Sequence, residues 1–436
     1  MSRNKHLSVS LFLLAFAVSF PERGWSQEPD LITGISETGA TRIHLALPDF
    51  LAVPRGSLLA LQAARTIHQV LRSDLHFSGY FDIVNPDYYE LVTGYNERDP
   101  KFQEWTAIGA DSLILGKTEE VGEKLLLEGR LYDVPGKLAM LGKRYRGGVG
   151  SLRSIAHKFA DEVVLQYTGE KGVAATRIAY VHQQGSNKNI FIMDYDGEHQ
   201  TQLTRDKTLN LTPAWSPDGT RIAFLSYRNG FPELVILSQD GTRVRAYPQS
   251  GELNASPDWS ADGKHLLFNS SRDGNAEIYS LRIADGRISR LTHHPGIDSS
   301  PAWSPNGRQI LFTSDRNGSP QIYIMDAEGT HPRRLTFQGS YNDQGSWTPR
   351  GDRIVYTSRV EGRFQIFRID LKDRKPVPLT SGRGNKESPS WSPDGRHIAY
   401  CSNVTGRYEI YSMTSEGERQ TRLTRGGGNT HPTWSR

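Results

Sequence analysis

The sequence predicts a small α/β domain followed by an all-β, six-bladed β-propeller that is closed by the C-terminal strand. Three observations support this prediction. A repeat fills the second half of the chain, each copy contains four strand-like segments, and the repeat is absent before Thr176. A fixed period of 40 to 50 residues with strand-like content is typical of propeller blades rather than of a helical solenoid.

Six tryptophans mark equivalent positions of the repeat, at spacings of 44, 44, 44, 44 and 43 residues. They are Trp215, Trp259, Trp303, Trp347, Trp391 and Trp434. A turn such as "SPDG" follows, in which Pro sets φ at one corner and Gly takes the positive φ that closes it. Segments such as "QILFTS" and "QIYIMD" then show the period-two pattern of strands. We expect the tryptophans to pack between blades.

The two ends of the repeat region complement each other. The chain stops two residues after Trp434, before a turn and a second strand would follow. At the other end, "TRIAYVHQQG" from Thr176 matches "TRIAFLSYRNG" from Thr220, but no first strand precedes it. The C-terminal segment is therefore predicted to supply the first strand of the blade that begins at Thr176. A ring closed in this way leaves no exposed sheet edge.

The region before the repeat is predicted to be an α/β domain at 42–170, joined by a linker at 171–175 to the propeller at 176–436. "RIHLALPDF" and "YFDIVN" are strand-like, and apolar residues at helical spacing predict a helix over 56–77. A short helix around "KFQEWTAIG" and three further strands follow. An amphipathic helix over 151–169 ends the domain.

The first 26 residues have the pattern of an export signal. A basic start, an apolar core and small residues before Gln27 predict cleavage near Ser26/Gln27. No other stretch approaches the ~18 apolar residues of a membrane-spanning helix. The polar, glycine-containing segment 27–41 is predicted to be a mobile mature N-terminus.

The composition argues against several functions. The 52 basic and 48 acidic residues are interspersed and form no long basic run, so we expect no nucleic-acid partner. The single cysteine cannot form an internal disulfide. The sequence motifs of nucleotide-binding proteins, zinc-dependent hydrolases and serine hydrolases are absent. The sequence therefore predicts no catalytic residues, no metal and no cofactor, and we also expect a monomer.

The segments that lead into the first strand of each blade vary, for example "GELNASPDW", "GIDSSPAW" and "SYNDQGSW". Variable loops on a constant scaffold are where binding specificity usually resides. These segments could also be loops that simply tolerate change. The sequence pattern alone leaves both interpretations open.

The order of these parts resembles the TolB family, the periplasmic components of Tol-Pal systems in Gram-negative envelopes. The resemblance rests on the signal peptide, the α/β domain, the linker "TGEKGVAATRIAYV" and repeats such as "SPAWSPNG" and "TSDRNGSPQIY". It covers nearly the whole mature chain. The propeller motifs are shared with other families, so the domain order and the linker are the more specific part.

The resemblance implies a non-enzymatic adaptor that is peripheral to membranes through its partners. Its propeller would dock the peptidoglycan-associated lipoprotein Pal, and its mature N-terminus would engage TolA. The system would support outer-membrane integrity and constriction during cell division. By position, the partner-binding residues in the loops entering the inner strands would be Asn254, Ser256, Asp298, Ser299, Asp343 and Glu387.

Two other functions remain open at the level of sequence. The first is a propeller enzyme, a polysaccharide lyase or hydrolase, with His293, His331 and His431 as acid/base or metal-binding groups in the funnel. The second is a sensing or scavenging protein that binds a small ligand through the α/β domain.

Overall fold

The computed structural model describes residues 42–248 and 254–436. The predicted signal peptide, its cleavage site and the predicted mature N-terminus at 27–41 lie outside the described residues. Residues 249–253 and the side chains of residues 254 and 255 also lie outside them. Within the described ranges, the helices are too short or too polar to cross a membrane.

The first part of the described chain is an α/β domain built on one six-stranded sheet. Its strands are β1 (Ile43–Ala46), β2 (Leu51–Val53), β3 (Phe81–Ile83), β4 (Ser112–Val121), β5 (Lys124–Asp133) and β6 (Leu138–Gly147). Its helices are α1 (Leu58–Ser78), α2 (Phe102–Ala107) and α3 (Leu152–Thr168), with short 3-10 helices at Pro86–Leu91 and Val149–Ser151. The strand order is β3-β1-β4-β5-β6, and β2 pairs with β4. The long predicted helices and strands are confirmed, whereas β2 and the first 3-10 helix were not anticipated.

Local signals determine where α1 begins and ends. The Ser57 hydroxyl accepts a hydrogen bond from the Ala60 amide at the N-terminus. Gly79 ends the helix with a φ of 75°, a conformation that glycine adopts without a steric penalty. The helix packs against α3 and the sheet through a buried face that includes Ile67 and Leu71.

Helix α3 lies close to the sheet because a strand residue opposite it has no side chain. A Cβ atom at Gly129 of β5 would lie 2.6 Å from the ring of Phe159. Phe159 is fully buried in the main core cluster of this domain. Glycine at this position therefore sets the helix-to-sheet distance.

The rest of the described chain forms six four-stranded blades. The inner strands are β10 (Asn210–Trp215), β14 (Asn254–Trp259), β18 (Asp298–Trp303), β22 (Asn342–Trp347), β26 (Lys386–Trp391) and β30 (Asn429–Trp434). The second strands are β11 (Arg221–Ser226), β15 (His265–Ser270), β19 (Gln309–Ser314), β23 (Arg353–Val360), β27 (His397–Ser402) and β7 (Arg177–Gln184). The third strands are β12 (Glu233–Ser238), β16 (Glu277–Arg282), β20 (Gln321–Asp326), β24 (Arg363–Asp370), β28 (Glu409–Thr414) and β8 (Asn187–Asp194). The outer strands are β13 (Arg243–Pro248), β17 (Ile288–Arg290), β21 (Arg333–Arg334), β25 (Pro376–Pro378), β29 (Thr421–Arg422) and β9 (Thr201–Gln202).

The C-terminal strand closes the ring. Strand β30 pairs antiparallel with β7, which places Trp434 opposite Ile178. The sheet order β30-β7-β8-β9 shows that the two ends of the propeller sequence share one blade. The predicted six-bladed architecture and its closure are confirmed.

The repeated tryptophans lie between blades, as predicted. Their indole N–H groups donate to the inner strand of the preceding blade in three cases: Trp259 to the Ala214 carbonyl (3.1 Å), Trp347 to Ala302 (3.2 Å) and Trp391 to Ser346 (3.3 Å). All but Trp303 are buried. Because each indole belongs to the core of two neighbouring blades, six weak sheets bury one another's apolar faces.

Candidate functional site

The propeller has two faces built from different connections. On one, which we call the entrance face, lie the loops that lead into each inner strand and the hairpins that join second to third strands. Backbone hydrogen bonds hold the two sets together, as from Tyr227 N–H to the Leu209 carbonyl (3.0 Å) and from Arg359 N–H to the Tyr341 carbonyl (2.9 Å). The hairpins that join first to second and third to fourth strands form the opposite face.

The α/β domain packs against the opposite face. Tyr195, in the hairpin between β8 and β9, donates a hydrogen bond to the Asp74 carboxylate of α1 (2.7 Å). Arg396, in the hairpin between β26 and β27, lies 4.1 Å from the centre of the Tyr80 ring. The described loops of the entrance face therefore remain open to a partner.

A buried charged cluster joins the two domains. One oxygen of the Asp74 carboxylate accepts a hydrogen bond from the Tyr195 hydroxyl, and the other is hydrogen-bonded to His157 Nδ1 at 2.8 Å. His157 is 3% exposed, and its Nε2 has no hydrogen-bond partner in the described structure. Burial acts to lower the pKa of His157, but the hydrogen bond and the charge of Asp74 outweigh burial and leave the pKa raised.

A second contact between the domains is aromatic. The Phe77 ring of α1 stacks on His397 with 3.9 Å between ring centres, and His397 lies 6.4 Å from the Trp434 ring of the closing strand. Burial lowers the pKa of His397. The α/β domain thus contacts the blade that is adjacent to the ring closure.

Wherever its side chain is described, the first residue of an inner strand is buried. Asp298 is fully buried, and both of its carboxylate oxygens accept from Arg316 Nη2, at 3.1 and 2.9 Å. Burial raises its pKa, while hydrogen bonds from Ser314 and Arg316 act in the other direction. In this fold Asp298 therefore holds the neighbouring hairpin and presents no surface to a partner. Asn254 occupies the same position in β14, and its side chain lies outside the described residues.

Ser256 and Ser299 lie at a bulge that recurs in the inner strands. The strand pairing shifts after the second residue of each inner strand, and the third residue has a positive φ. These third residues are Thr212, Ser256, Ser300, Gln344, Ser388 and His431. The bulge links adjacent blades, because the Ser256 amide donates to Thr212 Oγ1 (3.3 Å) and the Ser388 amide to Gln344 Oε1 (2.9 Å).

Asp343 and Glu387 are half-buried at the second positions of their strands. Thr313 of the preceding blade donates to the Asp343 carboxylate (2.7 Å), and the Tyr408 hydroxyl donates to Glu387. Burial raises the pKa of Glu387, and the charge of Asp343 acts in the same direction. The structure thus brings these two predicted residues near each other, with their carboxylates already hydrogen-bonded.

Exposed apolar side chains on the entrance face were missed by the sequence analysis. Eight large apolar residues of the propeller are exposed among the described residues, and six of them are on this face. The six are Leu209, Phe231, Ile297, Phe337, Val360 and Val404. Phe231 and Phe337 are 73% and 69% exposed. A phenylalanine in the hairpin "RNGFPE" could have been noticed, but its exposure depends on the fold.

The histidines of the enzyme hypothesis do not come together. His293 is exposed in a loop of the entrance face, whereas His331 is in a hairpin of the opposite face and contacts Asp326 (2.8 Å). His431 is in the inner strand β30, where burial lowers its pKa to about 4. No group of three or more potential metal ligands occurs in the part of the chain that the structure describes.

The central channel holds a cavity of about 240 Å³ at its tryptophan end. Backbone and side-chain atoms of the inner strands line it, including Trp215, Trp303 and Asp258. Asp258 accepts a hydrogen bond from the Trp303 amide (2.6 Å), and burial raises its pKa. The carboxylate therefore already has a partner within the channel wall.

The fold defines a class: a six-bladed β-propeller with an α/β domain on one face and an open surface on the other. A family model described as the TolB beta propeller domain matches residues 165–436. A second, described as the TolB amino-terminal domain, matches residues 33–139. The chain belongs to the TolB family.

Similar proteins agree with this assignment. The chain is 39% identical over 217 residues to the Tol-Pal system protein TolB of Geobacter sulfurreducens, a match that covers 49% of each protein. It is 42% identical over 160 residues to the protein of the same name from Geobacter metallireducens, covering 37% of each. The chain thus spans at most about half the length of the curated relatives it matches. The crystal structure of TolB from Acinetobacter baumannii matches 91% of this chain and 97% of its own, with a TM-score of 0.78 and 27% identity.

Proposed function

We propose that this chain is the periplasmic adaptor of a Tol-Pal system. In this proposal it has no enzymatic activity, docks the peptidoglycan-associated lipoprotein Pal on the entrance face, and contacts TolA through residues 27–41. It thereby supports outer-membrane integrity and constriction during cell division. Membership of the TolB family and the names of its relatives support this assignment.

The observation that carries the proposal is the open entrance face. The α/β domain packs against part of the opposite face, and six of the eight exposed large apolar side chains of the described propeller lie on the entrance face. Their unequal distribution between the two faces favours a protein-binding role for the face that carries most of them. Phe231 and Phe337 are the largest of them, and buried aromatic side chains contribute strongly to interfaces.

Among the residues predicted from sequence, Ser256, Ser299, Asp343 and Glu387 remain proposed contacts. All four are half-buried on the inner strands, so a partner would reach them through the centre of the face. Asp298 is proposed to act indirectly by holding Arg316 in place. A role for Asn254 remains a prediction from its position.

The TolA contact is proposed for the segment "QEPDLITGISETGAT" at 27–41. An extended peptide that pairs through main-chain hydrogen bonds tolerates sequence change, because the backbone rather than the side chains supplies the affinity. Deleting residues 27–41 should abolish binding to the soluble domain of TolA while leaving Pal binding intact. Loss of both, or of neither, would contradict this division of labour.

The test of the proposal is a calorimetric titration of residues 27–436 with the soluble domain of Pal from the same organism. We expect saturable one-to-one binding. The double variant Phe231→Ala and Phe337→Ala should weaken binding at least about tenfold, since truncated interface anchors cost about 1 to 2 kcal/mol each or more.

The matched control is Val244→Ala. Val244 is 53% exposed but lies on the outer strand β13, away from the entrance face. It should bind Pal like the wild type. Absence of binding by a folded wild-type chain would refute the proposed function, and an equal loss in the control would refute the entrance face as the docking surface.

A further inference from the structure

The entrance face carries an uneven distribution of charge. The exposed arginines of its loops and hairpins include Arg228, Arg359, Arg363, Arg383, Arg407 and Arg425. Arg205 and Lys207, in the loop that leads into β10, are exposed as well. We call these eight residues the basic arc, because they lie on consecutive blades from the one that begins with β22, through the closing blade, to the one that begins with β10.

The basic arc carries more positive than negative charge in the described structure, with Asp206 half-buried between Arg205 and Lys207. None of its eight side chains forms an ion pair with a described residue. Glu361 is the one exposed acidic side chain among the described loops and hairpins of this part of the face. Arg316, by contrast, is on a neighbouring blade and is paired with buried Asp298. The arc therefore projects a positive potential from a surface that the α/β domain leaves open.

Apolar side chains are interspersed in the arc. Phe231 is in the same hairpin as Arg228, and Val360 directly follows Arg359. Val404 is in the hairpin of Arg407. A polyphosphate surface would be bound by the positive charges alone, whereas protein interfaces combine arginine with apolar and aromatic groups. The mixture therefore favours a protein as the occupant.

We propose that the partner docked on the entrance face presents an acidic surface to the basic arc, and that this charge complementarity accelerates association. This inference rests on the proposed docking of Pal and adds the chemistry of the surface that Pal would present. The arc steers the encounter, and the apolar side chains hold the complex after docking. Charges at the rim of an interface mainly affect the association rate and its salt dependence, whereas buried contacts affect dissociation.

The experiment measures the association rate between residues 27–436 and the soluble domain of Pal by stopped-flow fluorescence. The rate is recorded at about 20 mM and about 500 mM NaCl, since the screening length falls from about 20 Å to about 4 Å over this range. We expect the wild-type rate to fall at least about tenfold at the higher salt concentration.

A charge-reversal pair tests the arc itself. The variant Arg363→Glu with Arg407→Glu should associate about tenfold more slowly than the wild type at low salt, and this difference should largely vanish at high salt. The matched control is Arg287→Glu with Arg308→Glu. These two arginines are also exposed and form no ion pair with a described residue, but they lie in hairpins of the opposite face. The control should associate at the wild-type rate, and unchanged melting temperatures should show that all variants fold.

The outcomes separate this inference from the proposed function. If Pal binds at a rate that changes neither with salt concentration nor with the Arg363/Arg407 charge reversal, the inference is overturned and the docking proposal stays intact. An equal effect of the control pair would also overturn it, because the effect would then come from net charge. No binding of Pal by the folded wild type would overturn both. Binding to anionic phosphatidylglycerol vesicles instead of Pal would assign the arc to a membrane surface and overturn the inference.

Discussion

Replacing His157 by alanine should weaken the contact between the α/β domain and the propeller. His157 is buried, and it shares the Asp74 carboxylate with Tyr195 of the propeller. The replacement removes one charge-assisted hydrogen bond and leaves a buried carboxylate with a single described side-chain donor. Stability should therefore fall, and the loss should depend on pH.

The structure sets the expected magnitude. Hydrogen bonds to charged groups contribute about 1.5–3 kcal/mol, and removing one partner of a buried charged pair costs about 3–5 kcal/mol. Because Tyr195 still donates to Asp74, we expect His157→Ala to lower the free energy of unfolding by about 3 kcal/mol. His331→Ala is the control, since the His331 side chain is 84% exposed, and it should change stability by less than about 0.5 kcal/mol.

The sign of the pH dependence follows from the direction of the pKa shift. The pKa of His157 is raised above its usual 6.5 in the folded state. Its stabilising contribution is therefore fully present below pH 6.5 and is lost as the pH rises through the folded-state pKa. His397 at the same interface has a lowered pKa, so its contribution is present above pH 6.5 and is lost as the pH falls. The difference in the free energy of unfolding between the wild type and His157→Ala therefore separates the contribution of His157 from that of His397.

Urea unfolding of residues 27–436 and of His157→Ala at about pH 6 and about pH 9 measures this difference. The cost of the replacement should be larger at the lower pH. Asp74, Asp194, Asp196 and Arg153 face His157, and all four residues are retained in both proteins. An equal cost at both pH values, or a cost no greater than that of His331→Ala, would refute the reasoning.

Two further predictions concern the cores. Gly129→Ala should destabilise the α/β domain by about 1–3 kcal/mol, because the new Cβ atom would lie 2.6 Å from the Phe159 ring. Gly142→Ala on β6 is the control and should be tolerated, because a Cβ atom there would have nothing within 4 Å. Thermal melting of the two variants measures the difference. Glu409→Ala should cost about 3 kcal/mol, since the buried carboxylate accepts four hydrogen bonds, and exposed Glu418→Ala should cost little. Burial acts to raise the pKa of Glu409, but these hydrogen bonds outweigh burial and lower the pKa. The contribution of Glu409 to the free energy of unfolding is therefore present above pH 4.5 and should be lost as the pH falls. Acid titration of both variants measures this loss.

The sequence by itself determined the architecture of the propeller. The period and the turn residues are local signals, and each blade repeats them, so the number of blades could be counted. The mismatch between the two ends also predicted the closing pair, β30 with β7, which the structure confirms. The long helices of the α/β domain were predictable for the same reason, because apolar periodicity and end signals act over a few residues.

The tertiary structure decided which residues face a partner. Asp298 was a plausible surface contact from its position before Trp303, but it is buried against Arg316 from the next hairpin. No sequence pattern predicted that Phe231 is exposed, yet it is among the most exposed apolar residues of the described propeller. Exposure depends on neighbours that are distant in sequence, and a local pattern does not contain them.

Charge shows the same division most clearly. Along the chain, basic and acidic residues are interspersed without a long run, a pattern that predicted no nucleic-acid partner and gave no sign of the basic arc. Successive connections of a blade point to opposite ends of the ring, so residues that are neighbours in sequence are sorted onto different faces. Arg359, Arg383, Arg407 and Arg425 meet on the entrance face only because four consecutive connections of that kind are brought together by the closed ring. The sequence determined the blades, and the closure of the ring determined the surface that they present.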